Sequence, residues 1–496
     1  MSSASAAEPK RLDVQPDPQA LVAIDLGAES CRVSLLRYIW GQPHLTLVHR
    51  FSNAPRSTGE DGNLHWDIGA IEAGIDIGLR RAAAIATEGI RSIAVDGWAV
   101  DYVRLAEGGH AIADPFCYRD LRTVAAEQYL HRHISPERMR DITAITPMRI
   151  NTLYQLHADR LTNLPAGRGW LNLPEYILYR LGGRPVSEET NAAHSQLVDA
   201  DRRAWSEEIF AAADLDLTQA PQLVPSGTDL GVLTGPLTAL PPFAHTRLIA
   251  PACHDTASAI AGIPAVGDDW AYISSGTWSL VGALVAKPIR TAAAAADGFT
   301  NLAAAGGLTC FHVNVNGMWL IAQSTQQWKE AGHIWTIQDL VAAAESAPAP
   351  AALIDVDEPE LLLPGDMLHR INAQLVRSGH LALDQHPDAA PAFANLIFHS
   401  LAARYQQVLA KIEAHTHKRL KRLFIVGGGS RNQYLNRLIA QRTGLEVHCG
   451  SPESSTIGNF AIQLAVLDGA SGASGPSPAL ICKHAAELSA TPILPA

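Results

Sequence analysis

The stretch LVAIDLGAESCRVSLL (residues 21–36) carries most of the fold information in this 496-residue chain. LVAID is an apolar run that closes on an acid, LGAES is a turn of small and polar residues, and CRVSLLRY reads as a second strand. Residues 44–51 supply a third antiparallel strand. A helical spacing of apolar residues follows from Asp67 to Glu88, and IRSIAVD (90–96) and VDYVRL then read as further strands. This β-β-β-α-β order is neither a hairpin sandwich nor a strictly alternating parallel fold. About 250 residues later, WAYISSGTWSLVGALV (270–285) repeats strand, small polar turn, strand. Two such openings predict two structurally similar halves, divided near Gly262–Asp268.

RLFIV (422–426) is another strand, and GGGSRNQYLNRLIAQRTG carries its end into an amphipathic helix. Residues 341–352 (VAAAESAPAPAA) and 469–480 (GASGASGPSPAL) read as a surface loop and a linker into a tail over 469–496. Residues 1–20 read as a polar, disordered leader.

The chain has 38 Lys+Arg against 49 Asp+Glu, a formal charge of −11, which argues against nucleic-acid binding,. No apolar window reaches spanning length, so no membrane segment is expected. The six cysteines are scattered with no CxxC pair, which points to reduced thiols in a cytoplasmic enzyme,. No Gly-Lys dipeptide, HExxH or GxSxG occurs, so a Walker-type loop and the commonest zinc-protease and α/β-hydrolase signatures are absent,. The pairs His131/His133 and His415/His417 read as solvated helix faces rather than metal ligands.

Backbone amides in the tight turns Gly27–Arg32 and Ser274–Thr277 can bind phosphate oxygens, although one such turn alone is usually just a hairpin. Gly427-Gly428-Gly429 lets backbone approach a ligand closely. It also resembles a dinucleotide loop with Glu446 as the ribose acid, but Asn432 stands where the third glycine belongs. Cys253-His254-Asp255-Thr256 ends an apolar strand and opens a small-residue helix. Asp255 or Thr256 there is either an N-cap or a functional group in a cleft between the halves.

Taken in order, AIDLGAESCRV, HWD (65–67), VDGWAVDYVRL, YRDLRT (118–123), NTLYQL (151–156) and PEYILYRLGG resemble the FGGY carbohydrate kinases. ETNAAHSQLVD, HDTASAIAGIP, AYISSGTWSLVG, NVNGMWLI, IVGGGSRN and PESSTIGNFAIQL extend the likeness over residues 21–467, most closely to the branch that acts on L-rhamnulose. The resemblance implies an α/β, actin-like, hexokinase-type fold of two ribonuclease H-like domains, 21–262 and 263–468, with ATP and sugar in the cleft between them. It implies transfer of the ATP γ-phosphoryl group to the 1-hydroxyl of L-rhamnulose, a step of L-rhamnose breakdown.

By motif, Asp255 is the proton acceptor, and His254, Thr256, Asn314 and the Ala99 backbone are sugar contacts. Ala28, Glu29, Ser30, Cys31, Arg32, Thr277, Gln323 and Gly427 to Gly429 fall at ATP positions, and Asp25 is the Mg²⁺ candidate, through water. Several residues depart from the family pattern. Glu29 and Cys31 stand where Ser and Gly are usual, Gly97 replaces Thr, and Ala99 replaces Gly. The family's ATP-contacting Gln falls on Ala322, with Gln323 one position later. A kinase of L-fuculose or xylulose, and a non-catalytic sugar- or nucleotide-binding relative, are the competing expectations.

Overall fold

A computed structural model describes residues 20–57, 62–165, 167–469, 471–472 and 475–495. The expected leader lies outside these residues except for Ala20. Strand β1 (Ala20–Leu26) is buried at every position, as its apolar run requires of a strand covered on both faces. It turns into β2 (Ser30–Ile39), which runs antiparallel with Arg32 opposite Asp25, and β2 pairs in turn with β3 (Gln42–Ser52). Asp67 caps α1 (Ile68–Ile85) by accepting the Ala70 N–H at 2.8 Å,. Its apolar positions Ile71, Ile75, Leu79 and Ala82 recur at helical spacing and all face the core,. Helix α1 leads to β4 (Ile90–Gly97), parallel to β1, and β5 (Thr228–Val232) and β6 (Arg247–Ala250) complete the order β5-β6-β4-β1-β2-β3.

Helix α2 (Asp255–Ala261) passes between the halves. The second sheet contains β7 (Trp270–Ser275), β8 (Trp278–Val285), β9 (Thr300–Ala304) and β10 (Leu308–Asn316). After α3 (Trp319–Glu330) and α4 (Ala390–Thr416) come β11 (Arg422–Val426), α5 (Gln433–Thr443) and β12 (Glu446–Cys449). Its order is β9-β10-β8-β7-β11-β12. Strands β3-β2-β1-β4-β6 and β10-β8-β7-β11-β12 share one pattern, two antiparallel pairings followed by two parallel ones. The two halves anticipated from the openings are therefore present, each built as a ribonuclease H-like sheet.

Helix α6 (Ser454–Leu467) leaves the second half and lies on the first. Asn459 Nδ2 donates to Asp96 Oδ2 at 2.5 Å, Ser92 Oγ to Gln463 Oε1 at 2.6 Å, and Gln463 Nε2 to the Val22 carbonyl at 3.1 Å. It crosses α2 with backbone in contact. A Cβ on Gly458 would stand 1.8 Å from the Ser258 carbonyl oxygen, so only glycine fits,.

Three expectations need correction. Within the segment read as linker and tail, Ser477 caps a helix, α7 (Pro478–Ser489), which buries Ile481, Ala485 and Leu488. Beyond it, β13 (Ile493–Pro495) pairs with the edge strand β3. The turn residues of 469–480 masked an apolar i, i+4, i+7 spacing just beyond them. The loop expected at 341–352 begins inside a helix, Ile337–Ser346, capped by Thr336 and anchored by Leu340 and Ala344, because its alanines favour helix until the prolines stop it. Finally, His415 is not a solvated face: its ring packs edge-on against Phe299 and its Nε2 meets Asp297 at 2.7 Å.

Candidate active site

The phosphate-type turns face each other across the cleft. A cavity of about 350 Å³ is lined by Asp25, Gly27 and Arg32 from the first opening, by Asp255 and Thr256 from α2, and by Ser274 to Thr277 and Gly427–Gly428 from the second half. Asn53 pins the first turn, donating from Nδ2 to the Gly27 carbonyl and from its amide to the Glu29 carbonyl. The Ala28, Glu29 and Thr277 amides have no hydrogen-bond partner among the described residues. The second turn closes with the Gly276 amide on the Trp278 carbonyl. Against it rests the glycine loop, where a Cβ at Gly429 would meet Ser275 Oγ at 2.0 Å.

Arg32 is held from both sides. Its Nη1 donates to Asp25 Oδ2 at 2.9 Å and to Glu453 Oε2, in the second half, at 2.6 Å. Its Nε is buried without a partner, so donor capacity remains for an anion. Ser455 Oγ also donates to Asp25 Oδ2. Asp96, beside Asp25 in β4, has an orphaned buried Oδ1, and burial together with the Asp25 charge raises its carboxyl far above the usual range. A crowded set of hard oxygen donors of this kind fits a divalent cation. Among the described residues, no three His, Cys, Asp or Glu side chains could enclose an ion unaided, so phosphate and water would have to complete its shell.

Asp255 is the first residue of α2 and does not cap it; the helix starts at His254 with no side-chain cap. The capping reading of this motif therefore fails. The Asp255 side chain keeps 35% of its surface open, and its Oδ1 accepts from Thr256 Oγ1 at 3.1 Å. Burial and then the nearby Asp25 charge push its carboxyl up to about 7, with Thr256 and Arg32 opposing,.

Behind it, His254 Nε2 lies 3.4 Å from Asp255 Oδ1, and His254 Nδ1 lies 3.1 Å from His194 Nε2. Glu188 fixes this strand end. Its Oε2 accepts the Cys253 amide and the Thr190 hydroxyl, and Thr190 Oγ1 accepts the His254 amide.

The neighbouring wall is organised by Asp101. Its Oδ2 accepts from Trp66 Nε1 at 2.6 Å, from Trp98 Nε1 at 3.0 Å and from the Tyr118 amide at 3.2 Å, and its Oδ1 from Gln155 Nε2 at 2.9 Å. Four separated motifs thus converge on one buried carboxylate, which burial raises to about 6 despite those donors. Ala99 is buried and keeps a negative φ, so its backbone tolerates the Cβ; the positive φ, 71°, falls instead on Val100. A β-branched residue rarely adopts that conformation. The Val100 carbonyl is held by Thr152 Oγ1 at 2.7 Å. Gly97 is required by packing, since a Cβ there would stand 2.6 Å from that of Leu26.

Other expected residues lie apart from the cavity. The Cys31 side chain is buried in the first core with its thiol pushed up to about 12 by burial, so it can offer a ligand only its backbone. Glu29 points to solvent, and Ser30 Oγ accepts from Arg50. Gln323 accepts the Gly365 amide at 3.1 Å and does not line this cavity. Asn314 is exposed on the cleft side of β10, outside the cavity lining. The sequence reading missed Glu453, Ser455, Asp101, Glu188, Val100 and His194. Glu453, Ser455, Glu188 and His194 act across long sequence separations, Asp101 gathers donors from Trp66 to Gln155, and Val100 departs from a local rule by its positive φ.

Residues 20–262 match the N-terminal domain of the FGGY family of carbohydrate kinases, and residues 271–466 match its C-terminal domain. A "Rhamnulokinase" of Enterococcus faecalis is 34% identical over 457 residues, covering 91% of this chain and 90% of the relative. Another, from Bacteroides thetaiotaomicron, is 34% identical over 460 residues, covering 92% and 93%. Among solved structures, a ligand-bound xylulose kinase from Lactobacillus acidophilus superposes with a TM-score of 0.74 at 15% identity, covering 95% of this chain and 96% of that one. Plasmodium falciparum glycerol kinase with ADP gives 0.72 at 12% identity, covering 89% and 88%. Those two structures carry the actin-like two-domain fold and nothing finer. No helix among the described residues is long and apolar enough to cross a membrane. The chain belongs to the FGGY family of carbohydrate kinases and is an ATP-dependent sugar kinase.

Proposed function

We propose that the chain transfers the γ-phosphoryl group of ATP to the 1-hydroxyl of L-rhamnulose, with Asp255 as the proton acceptor. The observation that carries this reading is that Asp255 and Thr256 line one cavity with residues of both phosphate-type turns. The L-rhamnulose assignment is supported by full-length similarity to the two rhamnulokinases.

Phosphoryl transfer depends chiefly on positioning and charge neutralisation. The open amides of Ala28, Glu29 and Thr277 would hold phosphate oxygens, while the Arg32 guanidinium turns to the anion. The glycines of the 427–429 loop leave room for the nucleotide. Asp25 would hold Mg²⁺ through water, with Asp96 behind it, and the ion's chemistry there is to neutralise the triphosphate. Ionised Asp255 takes the proton of the attacking hydroxyl, an effect typically worth 10²–10⁴-fold. His254 and Thr256 fix the carboxylate and present the sugar to it. The hydroxyl oxygen forms the new bond to phosphorus as the bridging bond to ADP breaks.

A panel of L-rhamnulose, L-fuculose and D-xylulose with coupled ADP detection tests the substrate. The reading requires kcat/KM for L-rhamnulose to exceed the others at least tenfold. A preference for another ketose would overturn the substrate, and ADP release indifferent to every sugar would overturn the kinase reaction itself.

A further inference from the structure

His312 sits on β10 in the second half. Its sequence neighbours Phe311 and Val313 point into that half's own core. Strand alternation therefore turns Cys310, His312 and Asn314 to the other face, and Cys310 shares a cluster there with Ile145, Ala259 and Ile260 from the first half. In register, His312 lies beside Thr300. Thr300 Oγ1 accepts the Thr146 amide, and Asn301 Nδ2 donates to the Ala144 carbonyl, so this is the seam between the halves.

The His312 side chain is almost completely buried, at 1% exposure, and neither ring nitrogen has a hydrogen-bond partner among the described residues. Burial lowers the ring to about 4, with the Cys310 backbone opposing. His194 and His254 both feel His312 from across the seam; His194 is lowered to about 3 by burial first and His312 second. Two unpartnered polar atoms on a buried ring are costly. They lie within electrostatic reach of the pair His194–His254 that backs Asp255, and two residues along the same strand face from Asn314.

We propose that His312 is a sugar-hydroxyl contact donated by the second half, completing with His194 and His254 a histidine wall that selects the ketose. This rests on the reading of the cleft as a ketose kinase site. A neutral imidazole offers one donor and one acceptor, which matches a hydroxyl. Because His312 comes from the opposite half, the contact also couples sugar binding to the relative position of the two halves. Within the chain, the hydrogen bond from His194 would set which His254 nitrogen carries the proton, and hence how His254 meets Asp255.

The test is steady-state kinetics with L-rhamnulose and ATP for the wild type, His312→Leu and His312→Gln, with thermal unfolding of each. His312→Leu fills the volume without polar groups, and His312→Gln restores a donor and an acceptor. The expected result is a fall in kcat/KM for L-rhamnulose of about 10- to 100-fold in His312→Leu. The KM for ATP should stay within about threefold, and His312→Gln should recover at least a few-fold. A sugar kcat/KM within about threefold of wild type in His312→Leu would overturn the proposal. So would a parallel loss toward sugar and ATP with lowered thermal stability in both variants, which marks a structural role. If the wild type itself turned over none of the ketoses, the kinase reading would fail first and this contact with it. An active wild type with unaffected variants would remove only the contact.

Discussion

Arg32, in the first half, meets Glu453, in the second, at 2.6 Å while also holding Asp25 at 2.9 Å. One guanidinium thus bridges the two lobes at the floor of the cleft. An arriving triphosphate would compete with Glu453 for it, and charge-assisted bonds of this kind are the strong ones. Arg32→Ala should raise the KM for ATP by about tenfold or more, with sugar KM within about threefold. Glu453→Gln should lower the KM for ATP by freeing the guanidinium. Unchanged ATP kinetics in both variants would mean that Arg32 serves only the interface.

The raised carboxyl of Asp255, about 7 in the folded protein, gives a pH dependence of definite sign. A base must be ionised, so kcat/KM for the sugar should fall tenfold per unit as pH drops below about 7 and level off above it. A flat profile from pH 6 to 8 would oppose this role.

The same shift has a stability consequence. An acid whose folded value lies above its unfolded value of about 3.9 favours folding at low pH, and that contribution is lost as pH rises through about 7. Asp255→Asn should therefore unfold about 1 °C or more above wild type at pH 8, with the gain cut to about a third at pH 5 and gone below about pH 4. The effect is kept small because the side chain is a third open to solvent,.

Asp101 gathers Trp66, Trp98, Tyr118 and Gln155. Asp101→Ala strands those buried donors and should cost about 3–5 kcal/mol. Asp101→Asn, which keeps one carbonyl acceptor, should cost less. Chemical denaturation of the two variants decides the point, and equal, small losses would show that the hub is dispensable.

The paired openings were legible because strand, small turn and strand repeat at both β1–β2 and β7–β8, and the duplicated sheet order follows from them. The place of Asp255 in the cavity was legible because an apolar strand leads to it and a helix opens on it. Its capping alternative could be removed only by geometry. What the sequence hid was relational. Glu453 reaches Arg32 across 421 positions, and the orphaned nitrogens of His312 depend on which face of β10 meets the other half. The Gly/Ser/Pro run before α7 hid an apolar helix, because local turn chemistry outweighed the spacing beyond it. Gln323 was placed by family motif, and its bond from the Gly365 amide had no signal in the sequence.

The most direct measurement compares L-rhamnulose-dependent ADP formation by wild type and Asp255→Asn at pH 8, with ATP affinity measured separately. The amide variant should lose at least 100-fold in kcat while its ATP dissociation constant stays within about threefold. Turnover near the wild-type rate would contradict Asp255 as the proton acceptor and the mechanism built on it.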